Sequence, residues 1–236
     1  MSNDYFQFKQ FTIRHDRSAF KVGTDGVLLG AVADVSGRRR ILDVGTGTGL
    51  VAIMLAQRCD AEIVAIEPHR ESFLQACDNT AESPWSGRIR VLNISFQSFN
   101  PGALRFDLIV SNPPWFIDSL RCPDPARSES RHNDTLTHKD ILEGSVRLLT
   151  ENGLLQVIMP VNEGRKFVEK ALEHELYCSR ITHVSPTQSS GPKRMLISLG
   201  RQKTEISESF LTVEKERRHE YTPEYMELTK DFYLKF

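Results

Sequence analysis

The sequence predicts an α/β fold with a doubly wound, mostly parallel sheet covered by helices on both faces. Three observations point there. Short β-rich runs alternate with helical patterns through the middle of the chain. The central runs are nearly continuous in apolar residues, as parallel strands buried on both faces must be. A glycine-rich turn joins the first such strand directly to the first helix that follows it.

The elements follow in order. Residues 1–38 stand outside the repeat: FQFKQFTIRHD and SAFKVGTDGVLLG read as a short hairpin and a small helix packed over the top of the sheet. RRILDVG is the first strand of the sheet and LVAIMLAQRC the helix after it. AEIVAIE is the second strand, and PHRESFLQACDNTAE a helix with Pro68 in its tolerated first turn. RIRVLNIS and FDLIVSNPP are the third and fourth strands. A helix is expected over 137–150, ending near Asn152-Gly153, then LLQVIMP as a strand and VNEGRKFVEKALEHE as a helix. YCSRITHVS and KRMLISLGR complete seven strands. The linker between these two contains Pro186, Gly191 and Pro192 and is too short for a crossover helix, so they are expected to form an antiparallel pair at the edge. Beyond Gly200 the chain is mixed in sign and reads as solvated surface, with the tail's Phe and Tyr residues packed on the body. The expected organisation is one domain over 1–236: an extension (1–38) and a core with its terminal strand pair and tail (39–236).

Composition narrows the function classes. With 236 residues, 39% hydrophobic and 26% charged, the chain is no disordered, collagenous or coiled-coil protein. No apolar run approaches the ~18–20 residues that span a bilayer. The start MSNDYFQFKQF lacks the basic and apolar regions of a signal peptide, so a cytoplasmic location is expected. The four cysteines lie far apart and the seven histidines show no ligand spacing, which argues against disulfides and against a metal site. A net charge of −1 argues against non-specific coating of nucleic acid. Residues 1–40 nevertheless carry seven Lys and Arg residues against four Asp.

The glycine turn reads Asp43-Val44-Gly45-Thr46-Gly47-Thr48-Gly49. A dinucleotide fingerprint, GxGxxG, seats a pyrophosphate on the following helix. Here Leu50 stands where that pattern wants its third glycine. Asp43 would repel a phosphate yet pair with a cationic amino group, and Glu67 at the end of the second strand can accept two ribose hydroxyls. This set favours S-adenosylmethionine, which offers a ribose, an adenine and an α-amino acid but no phosphate. A dinucleotide and a purely structural turn are the competing readings.

The fourth strand ends in Ser111-Asn112-Pro113-Pro114-Trp115. The prolines stiffen this turn and leave carbonyls facing outward. The Asn112 side-chain oxygen and the Pro113 carbonyl can together accept both hydrogens of a planar NH₂ group, freeing its lone pair for attack. Trp115 offers a face for a stacked base, worth about 1–3 kcal/mol. A rigid turn with its indole in the core is the competing reading.

DVGTGTG, Glu67 and SNPPW together resemble class I methyltransferases of planar amides and exocyclic amines. FKQFTIRHDRSAFKVGTDGVLLGA, the SPW at 83–85 and the terminal YTPEYMELTKDFYLKF extend the likeness over the whole chain. They resemble the bacterial tRNA adenine-N6 methyltransferases that act on a valine tRNA. The resemblance implies a Rossmann-like class I fold and methylation of the adenine 3′ to the anticodon, at tRNA position 37. It also implies binding of the anticodon arm by a monomer. Lys21, Gly23, Thr24 and Asp25 would lie beside the methionine end of the donor. Asp43, Gly45, Thr46 and Gly47 would cradle its amino-acid part, Glu67 its ribose, and Ser95 and Phe96 its adenine. Ser95 stands where such enzymes often carry an Asp. Asn112, Pro113, Pro114 and Trp115 would grip the target amine and its base, with Asn112 also counted among the residues lining the donor site. Apart from the resemblance, the loop with Arg121, Arg127, Arg131 and His132 could meet the RNA backbone, but Asp118, Asp124, Glu129 and Asp134 cancel its charge, and a merely solvated loop is the competing reading. The same NPPW signature serves enzymes that methylate a guanine amine in ribosomal RNA or a release-factor glutamine. The latter usually carry a helical N-terminal domain, for which the 38 residues before the first strand are too few.

Overall fold

A computed structural model describes residues 3–18, 21–113 and 136–235. Residues Tyr5–Gln7 (β1) and Thr12–Arg14 (β2) form an antiparallel hairpin, followed by helix α1 (Thr24–Val32). The alternating core is β3 (Arg40–Val44), α2 (Leu50–Arg58), β4 (Glu62–Ile66), α3 (Arg70–Ala81), β5 (Ile89–Leu92), β6 (Phe106–Ser111), α4 (His138–Leu148), β7 (Leu149–Pro160) and α5 (Val161–Glu173). The chain closes with β8 (Tyr177–Thr187), β9 (Arg194–Gly200), β10 (Ser207–Glu214) and α6 (Pro223–Thr229).

The large sheet has eight strands in the order β10-β8-β9-β7-β6-β3-β4-β5. The five from β7 to β5 are mutually parallel. Two expectations are corrected here. The seven-strand count misses β10, which pairs parallel with β8 and forms one edge. The expected edge pair is not at the edge either: β9 inserts antiparallel between β7 and β8. The segment 207–214 gave no strand signal because only Val213 along it is buried. The helix after position 136 also ends earlier than expected, at Leu148, and the chain passes directly into β7. Gly153 lies inside β7 at a register shift against β6, where a Cβ would stand 2.9 Å from the Phe106 carbonyl oxygen.

The core lies on the two faces of the sheet. One cluster joins α1, α2, the hairpin and the tail, with Leu28, Ile53 and Tyr225 at its centre. The other packs α4 and α5 over β6 and β7 through Ile141, Phe167 and Val157. Helix α5 buries Gly164, Phe167 and Ala171, an i, i+3, i+7 stripe. Residues 26–31 of α1 and 50–56 of α2 are buried on every side, and the two helices approach closely at Gly26 against Leu50 and Gly30 against Met54. The hairpin, the SPW stretch and the tail meet in one aromatic cluster: Phe8 stacks on Phe11 and on Tyr233, and Trp85 meets Phe11 edge-on. The Lys9 amide donates to the Phe232 carbonyl at 2.7 Å.

Candidate functional site

The chain runs outward from β3 to β4 and β5, then returns to place β6 on the other side of β3. The carboxyl ends of β3 and β6 therefore border the reversal of strand order, where ligands bind in doubly wound sheets. Val44 of β3 pairs with Ile66 of β4 and with Ser111 of β6. The next residue on each strand, Gly45, Glu67 and Asn112, thus stands level with the other two. With strands ~4.8 Å apart, Glu67 and Asn112 flank the glycine turn at backbone positions ~10 Å from each other.

Three glycines of the turn take positive φ: 71° at Gly45, 58° at Gly47 and 83° at Gly49. The folded turn directs its amides inward. Gly45 and Thr46 both donate to the Ile66 carbonyl, at 3.0 and 3.1 Å, and Gly49 donates to the Thr46 carbonyl at 2.9 Å. Gly47 donates to Glu67 Oε2 at 2.9 Å, and His69 to Glu67 Oε1 at 2.9 Å. Asn93, which the sequence did not single out, donates from Nδ2 to the carbonyls of Glu67 and Pro68. Glu67 is thereby oriented by one N–H on each oxygen, and a carboxylate with about four acceptor sites keeps capacity for two hydroxyls.

Asp43 is buried at the end of β3, with the Thr46 hydroxyl donating to its Oδ2 at 2.6 Å. Burial pushes its pKa up to about 7, against the lowering effect of that hydrogen bond, and the neighbouring Glu67 adds to the rise. Burial also raises the pKa of Glu67, opposed by the His69 and Gly47 amides. These facts separate the competing ligands. A pyrophosphate needs outward N–H groups, but four of the five turn amides are spent inside the protein. Two carboxyl groups at the same place would repel a phosphate and attract an ammonium group. The residues fit the ribose and amino acid of S-adenosylmethionine.

The other expected site residues are placed as follows. Asn112 is half-buried and Pro113 buried. Ser111 beneath them donates its hydroxyl to the Val44 carbonyl at 2.9 Å, tying the ends of β6 and β3 together. Pro114, Trp115 and the cations between 116 and 135 lie outside the described residues. Gly23 caps α1, with Thr24 exposed at its start. The contact of Gly26 with Leu50 puts this end of α1 beside the start of α2, next to the turn. Asp25 accepts from Arg194 Nε at 2.7 Å, a pairing of α1 with β9 that no local pattern reveals. Lys21 is exposed just ahead of α1. Ser95 exchanges hydrogen bonds with Ser98 in the turn beyond β5. The ring of Phe96 is buried in the core, where a Cβ on Gly144 would come within 2.3 Å of it. Among the described residues no group of three or more His, Cys, Asp or Glu side chains could hold a metal, and no helix is long and apolar enough to cross a membrane.

Residues 18–180 match the family model described as methyltransferase small domain. The chain is 47% identical to a tRNA1(Val) (adenine(37)-N6)-methyltransferase of Bacteroides fragilis, with both chains covered in full. It is 48% identical to one of Parabacteroides distasonis and 46% identical to one of Trichodesmium erythraeum, again over the full length of each. Among solved structures, a predicted O-methyltransferase from Agrobacterium tumefaciens superposes with a TM-score of 0.59 at 21% identity, covering 88% of this chain and 96% of that one. The glycopeptide N-methyltransferase MtfA, complexed with S-adenosyl-L-methionine, superposes with a TM-score of 0.57 at 11% identity, over 77% and 100% of the two chains. These two likenesses concern the fold alone.

Proposed function

The chain belongs to the family of tRNA1(Val) (adenine(37)-N6)-methyltransferases, and from that premise we propose that it transfers a methyl group from S-adenosylmethionine to N6 of adenine 37 in tRNA1(Val). The observation that carries the proposal is the level alignment of Glu67, Gly45 and Asn112 on three adjacent strands. On this reading Glu67 takes the ribose on one side of the glycine turn and Asn112 the amine on the other.

The donor supplies a methyl group already activated as a sulfonium, so the chain needs neither a metal nor a nucleophile of its own. Its residues bind and align. Asp43 pairs with the ammonium group of the donor, while Gly45, Thr46 and Gly47 admit its amino-acid part. Glu67 takes the ribose hydroxyls, and Ser95 and Phe96 border the adenine. Lys21, Gly23 and Thr24 close over the methionine end. Asn112 and the Pro113 carbonyl accept the two N6 hydrogens of the target, which draws the nitrogen toward a pyramidal form. Pro114 and Trp115 complete the lip and stack the base. Catalysis comes from alignment and from this pre-set polar grip. The base leaves its stack to reach the site, which costs least in a single-stranded loop such as that of the anticodon arm. The protein acts as a monomer and a single domain in the cytoplasm.

The test is incubation of the purified protein with tRNA1(Val) and labelled donor, followed by nucleoside mass spectrometry. N6-methyladenosine at position 37 is the expected product. Labelling of ribosomal RNA or release factor with none in the tRNA would overturn the assignment.

A further inference from the structure

We infer that Asn79 is a positioning residue for the methyl donor. It clamps the backbone of β2 to the glycine turn, which sets the 21–25 segment at its distance from the donor site. The inference rests on the reading of the glycine turn as that site.

Helix α3 buries a polar face. Ser72, Gln75 and Asn79, spaced i, i+3 and i+7, are 4%, 0% and 1% exposed. Buried polar groups are costly unless they are hydrogen-bonded. Here the partners come chiefly from the chain that leads from the hairpin into the site. Asn79 Oδ1 accepts from the Arg14 amide at 2.9 Å, and its Nδ2 donates to the Arg14 carbonyl at 2.9 Å. The side-chain amide thus stands where a neighbouring strand would. The same Nδ2 donates to the Thr48 carbonyl at 2.8 Å, between Gly47 and Gly49. One side chain therefore touches both the hairpin and the turn. A turn of helix earlier, Gln75 Oε1 accepts from the Arg17 amide at 3.0 Å. Ion pairs follow the same order on the surface: Arg14 with Glu82 at 3.5 Å, and Arg17 with Asp78.

The consequence is geometric. Lys21 lies four positions beyond Arg17, and an extended chain spans at most ~14 Å over that length. Anchoring residues 14 and 17 to α3 limits where Lys21, Gly23 and Thr24 can stand. Without the clamp the hairpin keeps its aromatic packing against the tail, but its exit toward the site loses its tether to the turn.

The experiment compares the full-length wild type with Asn79→Ala. Calorimetry gives the donor Kd, and steady-state kinetics separate the donor KM, the tRNA KM and kcat. With the 21–25 segment untethered, ordering it falls to the donor, and donor Kd and donor KM should rise about tenfold. The tRNA KM, and kcat at saturating donor, should stay within twofold. A merely structural clamp would lower the active fraction, hence kcat, and leave both KM values alone. That result, or an unchanged donor Kd, overturns the inference. If Asn79→Ala does not fold, Gln75→Met removes a single hydrogen bond of the same ladder. It should weaken donor binding about threefold, and unchanged binding overturns the inference. A wild type that binds no donor overturns the reading of the glycine turn itself, and this inference with it.

Discussion

The amide of Gly47 donates to Oε2 of Glu67 at 2.9 Å, so the turn that leaves β3 holds a carboxylate that belongs to the end of β4. The turn is thus a device for aiming an acid as well as a bend. Four of its five amides are spent inside the protein, the reverse of a phosphate loop.

Glu67→Gln should weaken donor binding by about tenfold to a hundredfold, since hydrogen bonds to a charged acceptor contribute about 1.5–3 kcal/mol in all. Titration calorimetry checks this. The amide of the new side chain would also face the N–H groups of Gly47 or His69, so a lowered Tm should accompany the loss.

Donor affinity should rise with pH through about 7. Asp43 is held near that value by burial, and only its ionised form attracts the donor's ammonium group. The ionised fraction grows about tenfold between pH 6 and pH 8, so Kd should tighten by about that factor. Donor binding below pH 7 should release a proton. The sign for the fold itself is opposite: a carboxyl whose pKa is higher folded than unfolded favours the folded state while protonated. Its contribution therefore declines as pH climbs from the ordinary carboxylate range toward 7. Asp43→Asn should bind the donor weakly at every pH, with this dependence gone. A pH series of calorimetric titrations on both proteins decides it.

Gly47→Ala should separate stability from binding. No atom lies within 4 Å of a Cβ placed there, so the fold meets only the cost of its φ of 58°, about 1–2 kcal/mol. If the donor takes this space, as the proposed function requires, donor affinity should fall more than the drop in thermal stability accounts for. Melting curves with and without saturating donor give both quantities.

The parts of this molecule legible in its sequence are those made by neighbours in the chain. RILDV and FDLIVS announce buried central strands, and Asp43 to Gly49 is one continuous turn. Glu67 and Asn112 could be placed because each ends a strand. Long-range choices were not legible. Nothing in RMLISLG says that it will insert between β7 and β8, and SESFLTVE has no alternation because its faces are largely uncovered. Asn79 reads as an ordinary helical polar residue, for its partner Arg14 lies 65 positions upstream. Phe96 packs its ring against Gly144, 48 positions downstream, a contact that no local pattern announces. The match of the hairpin, the SPW stretch and the tail to one family has a physical counterpart: they pack on one another in a single aromatic cluster.

The central claim is that Asn112 grips the target amine and leaves the donor alone. The most direct measurement is methyl transfer to tRNA1(Val) by Asn112→Ala, set beside its donor Kd. The rate should drop by about 10²–10³-fold, the scale for losing one pre-set polar group, while the donor Kd stays within twofold of wild type. A variant that still methylates adenine 37 at a near-normal rate, or that loses donor binding in equal measure, would contradict the account.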